Sequence, residues 1–267
     1  MQGESPWGGN RIAPVAAHGF HRAAALYEVG RPEPPPAALE ELGRRILPEK
    51  GSWVADVGAG TGKLTRHLTD IFPRVLAVEP VRGMREEFLR QLPRCPLLAG
   101  RAEALPVRTG SLQAIVASQA FHWFVAERAI PEFARALGPS GQVALLWSHR
   151  DLADPHQQRI SGILDSYARR FPGTPRAAED TWKGAWERTD LFQPLERSET
   201  RFIQVLDLAS AEARFASVSY ISALPPAEQE EACTRIRGVL EDQIRAAPTG
   251  RVEIAYRCEL YLTRKVH

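Results

Sequence analysis

Three glycines alternate with other residues in a short segment that follows an apolar run. The segment reads Val54-Ala-Asp-Val-Gly-Ala-Gly-Thr-Gly62, which places glycines at 58, 60 and 62. Without a Cβ, the backbone at these positions can bend sharply and approach a ligand closely. In an open α/β sheet, such a turn between a strand and a helix lies where ligands bind. The spacing predicts a loop that holds a nucleoside-like ligand.

Two common nucleotide-binding patterns do not fit this loop. The dinucleotide fingerprint requires a third glycine five positions after the first, and Lys63 stands there. The phosphate-binding P-loop requires Ser or Thr after its Gly-Lys pair, and Leu64 stands there. Asp56 precedes the glycines, where its carboxylate can order the N–H groups of the loop or meet a cationic ligand.

A second carboxylate, Glu79, ends the next apolar run, 17 residues after Gly62. A carboxylate at such a strand end can accept hydrogen bonds from both hydroxyls of a ribose. A single acid at a strand end is about as often merely solvated. Because it is combined with the glycine turn, Glu79 favours a nucleoside ligand.

The surrounding segments alternate between strand and helix patterns. Apolar runs predict strands at 53–57, 75–78, 97–98, 114–117 and 143–147. Apolar residues recur at helical spacing between the runs, and the last of these helices includes Ile130, Phe133, Ala134 and Leu137. Strand and helix in alternation predict a parallel sheet with helices on both faces, an α/β fold of three αβα layers.

The pattern changes after residue 150. Helical stretches at 151–190 and 208–247 are interpreted as insertions that form a helical cap, with Trp182 and Trp186 as a packing face of that cap. Residues 202–206 predict a strand, and the alternation along 251–264 predicts a long antiparallel terminal strand.

Composition excludes several classes of protein. The 267 residues are 44% hydrophobic and 25% charged, which is ordinary for a globular chain. The net charge of +2 and the scattered arginines argue against a nucleic-acid partner. No apolar run is long enough for a membrane span, and no signal peptide is predicted. Three distant cysteines lack metal-ligand spacing, so no metal site and a cytoplasmic location are expected.

At these residues the chain resembles the class I S-adenosylmethionine-dependent methyltransferases, and within them the type 11 group, which includes trans-aconitate-type enzymes. Beyond the glycine loop, the matching segments are Val75 to Pro80 with Met84, Ala102 to Pro106, and Ser118 to Phe124. The resemblance implies a Rossmann-like, mostly parallel sheet of seven strands with an antiparallel last strand. It also implies one domain, 1–267, with the cofactor-binding core at 37–150.

The resemblance further implies that S-adenosyl-L-methionine is the cofactor. Its methionine and ribose parts would be held by the loop residues Asp56, Gly58, Ala59, Gly60 and Gly62 and by Glu79 with Pro80. Its adenine would lie against Met84 and near Ala102 and Glu103, and Gln119 would lie beneath the methionine part. Arg101 departs from the usual residue at its position, so the acceptor for the adenine amino group stays open, with Glu103 as a candidate.

The acceptor side is predicted after the fourth and fifth strands. His122 follows the fourth strand and is interpreted as an acceptor contact or general base, with a merely structural loop histidine as the alternative. Candidate substrate contacts are Tyr27, Trp123, Trp147, Arg150 and Tyr220. Arg150 could instead form an ion pair with Asp151, and Tyr220 could be a core residue of a helix.

These observations predict direct methyl transfer to a small-molecule acceptor. The alternatives are an inactive cofactor-binding partner protein, a protein methyltransferase and a nicotinamide oxidoreductase. Calorimetry with the methyl donor, its demethylated product and NAD would distinguish the oxidoreductase, which binds NAD, from the other three classes, which bind the methyl donor. The sequence indicates neither the acceptor nor the oligomeric state.

Overall fold

Strands and helices alternate through the first half of the chain in the computed structural model, which describes residues 31–47, 51–171, 182–246 and 249–266. The strands are β1 (Trp53–Val57), β2 (Val75–Val78), β3 (Leu97–Leu98), β4 (Leu112–Ser118), β5 (Leu137–Arg150), β6 (Glu196–Leu206) and β7 (Val252–Arg264). The helices are α1 (Pro36–Arg45), α2 (Lys63–Ile71), α3 (Arg82–Gln91), α4 (Ala126–Ala136), α5 (Pro155–Ala168), α6 (Lys183–Glu187), α7 (Leu208–Ala216), α8 (Ser219–Ser222) and α9 (Pro226–Ala246).

The strands form one sheet in the order β3-β2-β1-β4-β5-β7-β6. β1 pairs in parallel with both β2 and β4, and β4 pairs in parallel with β5. β7 runs against β5, because Lys265 N donates to Gly141 O whereas Asp151 N donates to Ala255 O. The predicted seven-stranded, mostly parallel sheet with an antiparallel last strand is therefore confirmed.

The central strands are buried on both faces, as a parallel sheet requires. Successive side chains of a strand point to opposite faces, and the two faces carry separate apolar clusters. Ala55, Ile115 and Leu145 belong to one cluster, which also contains helix α4. Val54 and Val116 belong to the other, together with residues of α1 and α2. Helices on both sides of the sheet confirm the three αβα layers.

The described residues divide into two compact units. The sheet unit comprises 33–149, 182–200 and 258–266, and the helical unit comprises 31–32, 150–171 and 201–257, each without the residues that are not described. The helical unit has its own apolar cluster, which contains Ile160, Phe215 and Leu240. The prediction that 151–190 and 208–247 are insertions that form a helical cap stays a prediction.

The helices of the helical unit begin at residues that the sequence marks. Asp154 accepts hydrogen bonds from His156 N and Gln157 N at 2.7 and 2.9 Å, which caps the start of α5. Asp207 accepts from Ser210 N at 2.7 Å at the start of α7. A side-chain oxygen at this position satisfies amides that the first turn of a helix leaves unpaired.

Two local predictions are wrong. Leu137 was expected in a helix, but α4 ends at Ala136 and Leu137 begins β5, where it pairs with Leu112. Trp182 and Trp186 were expected in the cap, but both are buried in the core of the sheet unit. The ring of Trp182 stacks on that of Trp147 with centroids 4.1 Å apart, and this tertiary contact outweighs the local pattern.

No helix of the described ranges is both long enough and apolar enough to cross a bilayer. Within the same ranges, no three His, Cys, Asp or Glu side chains converge as metal ligands would. Tyr27 lies outside the described residues, so its predicted contact stays a prediction.

Candidate cofactor-binding and active site

The loop between β1 and α2 requires glycine at three positions. Gly58, Gly60 and Gly62 have φ values of 74°, 58° and 93°, in the left-handed region that residues with a Cβ rarely adopt. The loop is tied to the neighbouring strand, because Gly58 N and Ala59 N both donate to Val78 O, at 2.8 and 3.2 Å. The predicted turn is therefore present, and it lies at the carboxyl ends of β1 and β2.

The three glycines differ in what surrounds them. A Cβ on Gly58 would come within 2.7 Å of the Cβ of Ala120, and one on Gly62 within 2.9 Å of Leu92 Cδ1. A Cβ on Gly60 would meet no atom within 4 Å. Gly58 and Gly62 thus allow close packing within the protein, whereas Gly60 exposes bare backbone to open space that a ligand can fill.

Glu79 lies against this loop rather than in bulk solvent. Its side chain is buried, and Oε2 accepts a hydrogen bond from Gly60 N at 2.9 Å while Oε1 accepts from Val81 N at 2.8 Å. Burial raises the pKa of Glu79, and these two amides oppose that effect. Each carboxylate oxygen has a second lone pair, so the group can still accept from two hydroxyls.

Asp56 is the second buried carboxylate of the site. Its Oδ2 accepts a hydrogen bond of 2.6 Å from Thr65 Oγ1, which lies on α2. Burial raises the pKa of Asp56 to about 7, the Thr65 hydroxyl lowers it, and the negative charge of Glu79 raises it further. Asp56 thus fastens the first turn of α2 to the end of β1, and its predicted action on the loop amides or on a cationic ligand stays a prediction.

Residues that follow β2 in the chain complete this part of the site. Met84 is buried on α3 and Pro80 is half-buried, whereas the backbone carbonyls of Glu79 and Pro80 both accept from Arg85 Nη1, at 3.0 and 2.6 Å. Sequence reasoning did not identify Arg85. Its signal was its place in the first turn of α3, next to Met84.

Ala102 and Glu103 lie in the loop after β3. Ala102 is buried, and the carboxylate of Glu103 accepts from Val125 N at 2.8 Å and from Arg101 Nε at 3.2 Å. Arg101, which departs from the usual pattern, is therefore held by its near neighbour. Both Glu103 oxygens already accept one hydrogen bond, so an adenine amino group would share an occupied acceptor.

Gln119 follows β4 with a φ of 56°, and only Ser140 shares a positive φ among the described residues other than glycine. Its side-chain amide donates to Ser148 O at 3.2 Å, which ties the end of β4 to β5. Non-glycine residues in this backbone region are often part of a functional site. Since Ala120 packs against Gly58, the Gln119 segment borders the glycine loop.

Comparison with known proteins agrees with this geometry. Residues 55–145 match the family described as "Methyltransferase domain". These residues therefore form a methyltransferase domain. An uncharacterized methyltransferase of Mycobacterium tuberculosis is 42% identical over 132 residues, which are 49% of this chain and 53% of that protein. The match thus spans about half the length of that curated relative.

Two longer similarities extend beyond the methyltransferase domain. An uncharacterized methyltransferase of Schizosaccharomyces pombe is 29% identical over 248 residues, which are 92% of this chain and 97% of that protein. The fold is similar to that of a proposed type II methyltransferase from Anaeromyxobacter dehalogenans, with a TM-score of 0.63 and 21% identity. That similarity covers 88% of this chain and 97% of the other. The class I fold therefore extends through most of the chain.

His122 lies in a 3₁₀ turn at 121–123, directly after Gln119 and β4. Trp147 Nε1 donates a long hydrogen bond of 3.4 Å to His122 Nδ1, and the rings of His122 and Trp123 are 5.1 Å apart. With Nδ1 as acceptor, the proton of the neutral ring lies on Nε2. In the methyltransferase domain, His122 is therefore arranged as a hydrogen-bond donor through Nε2.

An aromatic cluster supports this turn from within the sheet unit. Phe121 is buried and packs against Phe133 and Trp186, while Trp147 is buried and stacks on Trp182. Trp147 was predicted to contact substrate, and its burial places it behind His122 rather than on an open surface. Trp123 is half-buried.

The last two predicted substrate contacts belong to the helical unit. Arg150 ends β5, and no described carboxylate lies within ion-pair distance of it, so the expected ion pair with Asp151 is not formed. Asp151 Oδ1 instead accepts from Ala153 N at 3.1 Å. Tyr220 is half-buried at the edge of the apolar cluster of the helical unit.

Proposed function

We propose that the chain binds S-adenosylmethionine at the glycine loop and catalyses transfer of its methyl group to a small-molecule acceptor. The observation that carries the proposal is the contact between Gly60 N and Glu79 Oε2 at 2.9 Å, next to a Gly60 backbone that faces open space. A carboxylate with lone pairs to spare, held beside backbone that faces open space, matches the sugar part of such a cofactor.

The residues of the loop region suit this cofactor in four ways. Glu79 would accept from the ribose hydroxyls, and the turn at Gly60 would leave room for the neighbouring part of the molecule. Met84 would lie against the adenine, and Gln119 would border the methionine part. When bound, the cofactor supplies a methyl group on a positively charged sulfur, which a nucleophile displaces directly.

The chain's own contribution to such a displacement is alignment and exclusion of water. Holding two reactants in the productive geometry can supply roughly 7–11 kcal/mol of the barrier. We assign acceptor contact to His122, because it lies on the segment that borders the glycine loop and carries a ring proton on Nε2. If the methyl acceptor is a carboxylate, His122 would serve as a hydrogen-bond donor that positions it, and no general base is required. If the methyl acceptor is a phenol or an amine, a general base would accelerate the transfer.

A small acceptor fits the charge of the chain better than a nucleic acid does. The net charge is +2, with 34 basic and 32 acidic residues, which lacks the excess that binds phosphate backbones. We also propose a reducing, cytoplasmic location, because all three cysteines are free thiols.

Isothermal titration calorimetry with S-adenosylmethionine and S-adenosylhomocysteine tests the proposal. We expect binding by the wild-type chain and an affinity lower by about tenfold or more in Glu79→Gln, because the charged acceptor for the ribose is lost. The exposed Glu40→Gln is the matched control and should bind as the wild type does. Absence of binding, or binding of NAD in place of both compounds, contradicts the proposal.

Turnover separates an enzyme from an inactive cofactor-binding protein. Incubation with radiolabelled S-adenosylmethionine and a metabolite extract should transfer label to a small molecule in the wild type. Binding without any transfer would favour the inactive partner protein, and label recovered only in protein would favour a protein methyltransferase.

A further inference from the structure

Two arginines lie close together in the helical unit, with no acidic partner among the described residues. Arg214 is 6% exposed, and Arg150 is only partly exposed. The guanidinium carbons of Arg150 and Arg214 lie 5.5 and 5.6 Å from the ring centroid of the same residue, Phe215. Among the described residues, no carboxylate lies within ion-pair distance of either group, and Asp165, which acts on Arg150 from farther away, is exposed.

Buried arginines normally have a compensating anion. Arginine stays protonated in proteins, so its charge cannot be removed by loss of a proton. Desolvation therefore has to be offset by ion pairing and hydrogen bonds, and a buried charge without them is costly. Burial and the positive charge of Arg214 together lower the pKa of Arg150 to about 10, which reflects the same lack of compensation.

Several polar groups around the two arginines also have unsatisfied hydrogen-bonding capacity. Arg214 Nη1 and Gln157 Nε2 are buried donors without a hydrogen-bond partner in the described part of the chain, and Gln157 has no exposed surface. Arg214 Nε donates to Tyr256 Oη at 3.0 Å, which leaves the Tyr256 hydroxyl its own proton to donate. Within the described ranges, the hydrogen bonds of Arg150 Nη1 are two long contacts of 3.4 Å with Gln157 O and Gln157 Oε1.

These donors share one chemistry. Guanidinium, amide and phenol groups all donate hydrogen bonds, and the two arginines add positive charge, so their common ligand is an oxyanion. Phe215 lies beside both guanidiniums, and Phe202 stacks on Tyr256 with ring centroids 5.1 Å apart. Aromatic surroundings favour an anion with an apolar body over a fully hydrated inorganic one.

We propose that the helical unit contains a binding site for a small organic carboxylate, formed by Arg150, Arg214, Gln157 and Tyr256. The carboxylate accepts from the buried donors, and Arg150, which reaches the surface, admits the ligand from solvent. The site lies wholly within the helical unit. Its test does not depend on the proposed methyl transfer, because binding of a carboxylate can be measured without cofactor or turnover.

Calorimetry and thermal unfolding of the full-length chain test this site without cofactor. The probes are benzoate, succinate and inorganic phosphate, compared with chloride at equal ionic strength. We expect both carboxylates to bind and to raise the melting temperature. Equal melting temperatures in carboxylate and chloride, or tighter binding of phosphate than of either carboxylate, overturn the proposal.

Arg150→Gln and Arg214→Gln locate the site. Each should weaken carboxylate binding by about tenfold or more, because a buried charged partner is lost. Arg251→Gln, an exposed arginine of the same unit, is the matched control and should bind as the wild type does. Unchanged affinity in Arg150→Gln overturns the assignment. If Arg214→Gln does not fold, Arg150→Lys, which keeps the charge but not the forked donors, should still weaken binding.

Discussion

A Cβ on Gly58 would lie 2.7 Å from the Cβ of Ala120. The turn after β1 and the segment after β4 are therefore in contact through a space that only glycine leaves free. This contact brings the predicted cofactor loop and the predicted acceptor segment to one edge of the sheet.

The first prediction contrasts two glycines of that turn. Gly58→Ala should lower the free energy of unfolding by about 2–5 kcal/mol, because it adds a steric clash to the cost of a left-handed backbone. Gly60→Ala should cost only about 1–2 kcal/mol, since its Cβ meets no atom within 4 Å. Urea denaturation of both variants measures the difference.

The same pair should show the opposite order in binding. Gly60→Ala should weaken binding of S-adenosylhomocysteine, because its Cβ enters the space that the ligand would fill. Equal stability of the two variants would contradict the steric clash at Gly58, and unchanged affinity of Gly60→Ala would show that the open space at Gly60 is not a ligand site.

The second prediction concerns the pH dependence of stability. The pKa of Asp56 is raised to about 7 in the folded chain from 3.8. Between these values the folded state holds a proton that the unfolded state has lost, so stability falls as pH rises toward 7 and levels off above it. From pH 5 to pH 7 the decrease due to this one group should be about 2–3 kcal/mol.

Asp56→Asn should remove that part of the decrease, because an amide does not titrate. Urea denaturation at several pH values measures it as the difference between variant and wild type, which cancels the similar contribution of Glu79 to first order. Asp70→Asn, at an exposed position of α2, should keep the wild-type dependence. Parallel pH curves for wild type and Asp56→Asn would contradict the raised pKa.

The third prediction concerns the proton on His122. Because Trp147 Nε1 donates to Nδ1, long-range ¹H–¹⁵N NMR should show the neutral ring protonated on Nε2. Trp147→Phe preserves aromatic packing but removes the donor, and should shift the ring toward a mixture of tautomers. Trp123→Phe, which changes the other neighbouring indole, should leave the tautomer unchanged. An Nδ1-protonated ring in the wild type would refute this arrangement.

The fourth prediction tests Arg85, which holds two backbone carbonyls after β2. Arg85→Gln should weaken binding of S-adenosylhomocysteine by about tenfold, because the chain that carries Glu79 loses a charged hydrogen-bond donor. Arg82→Gln, one turn earlier on α3 with an 83% exposed side chain, is the control. An equal affinity of the two variants would mean that Arg85 does not position Glu79.

The sequence predicted those features of the structure that depend on a few adjacent residues. The glycines of the turn, the buried runs of β1 and β2 and the carboxylate at position 79 each follow from a few adjacent residues, and all lie as predicted. The strand β7 was also predictable, because alternation of apolar residues from Val252 to Leu262 is typical of a strand.

Residues whose environment comes from distant segments were not predictable. Leu137 has helical spacing with Ile130 and Phe133, but pairing with β4 takes it into β5. Trp182 stacks on Trp147, which lies 35 residues earlier in the chain, and the local spacing of apolar residues cannot predict such a contact. The position of Arg150 next to the ring of Phe215, which Arg214 also contacts, likewise depends on how the helices of the helical unit pack.

The hydrogen bond from Gly60 N to Glu79 makes these two positions energetically dependent on each other. A sugar hydroxyl that donates to the Glu79 carboxylate also changes the hydrogen bond between this carboxylate and Gly60 N. The contributions of the two residues to the binding energy are therefore not separable. The ligand would then be recognised by one coupled amide–carboxylate pair.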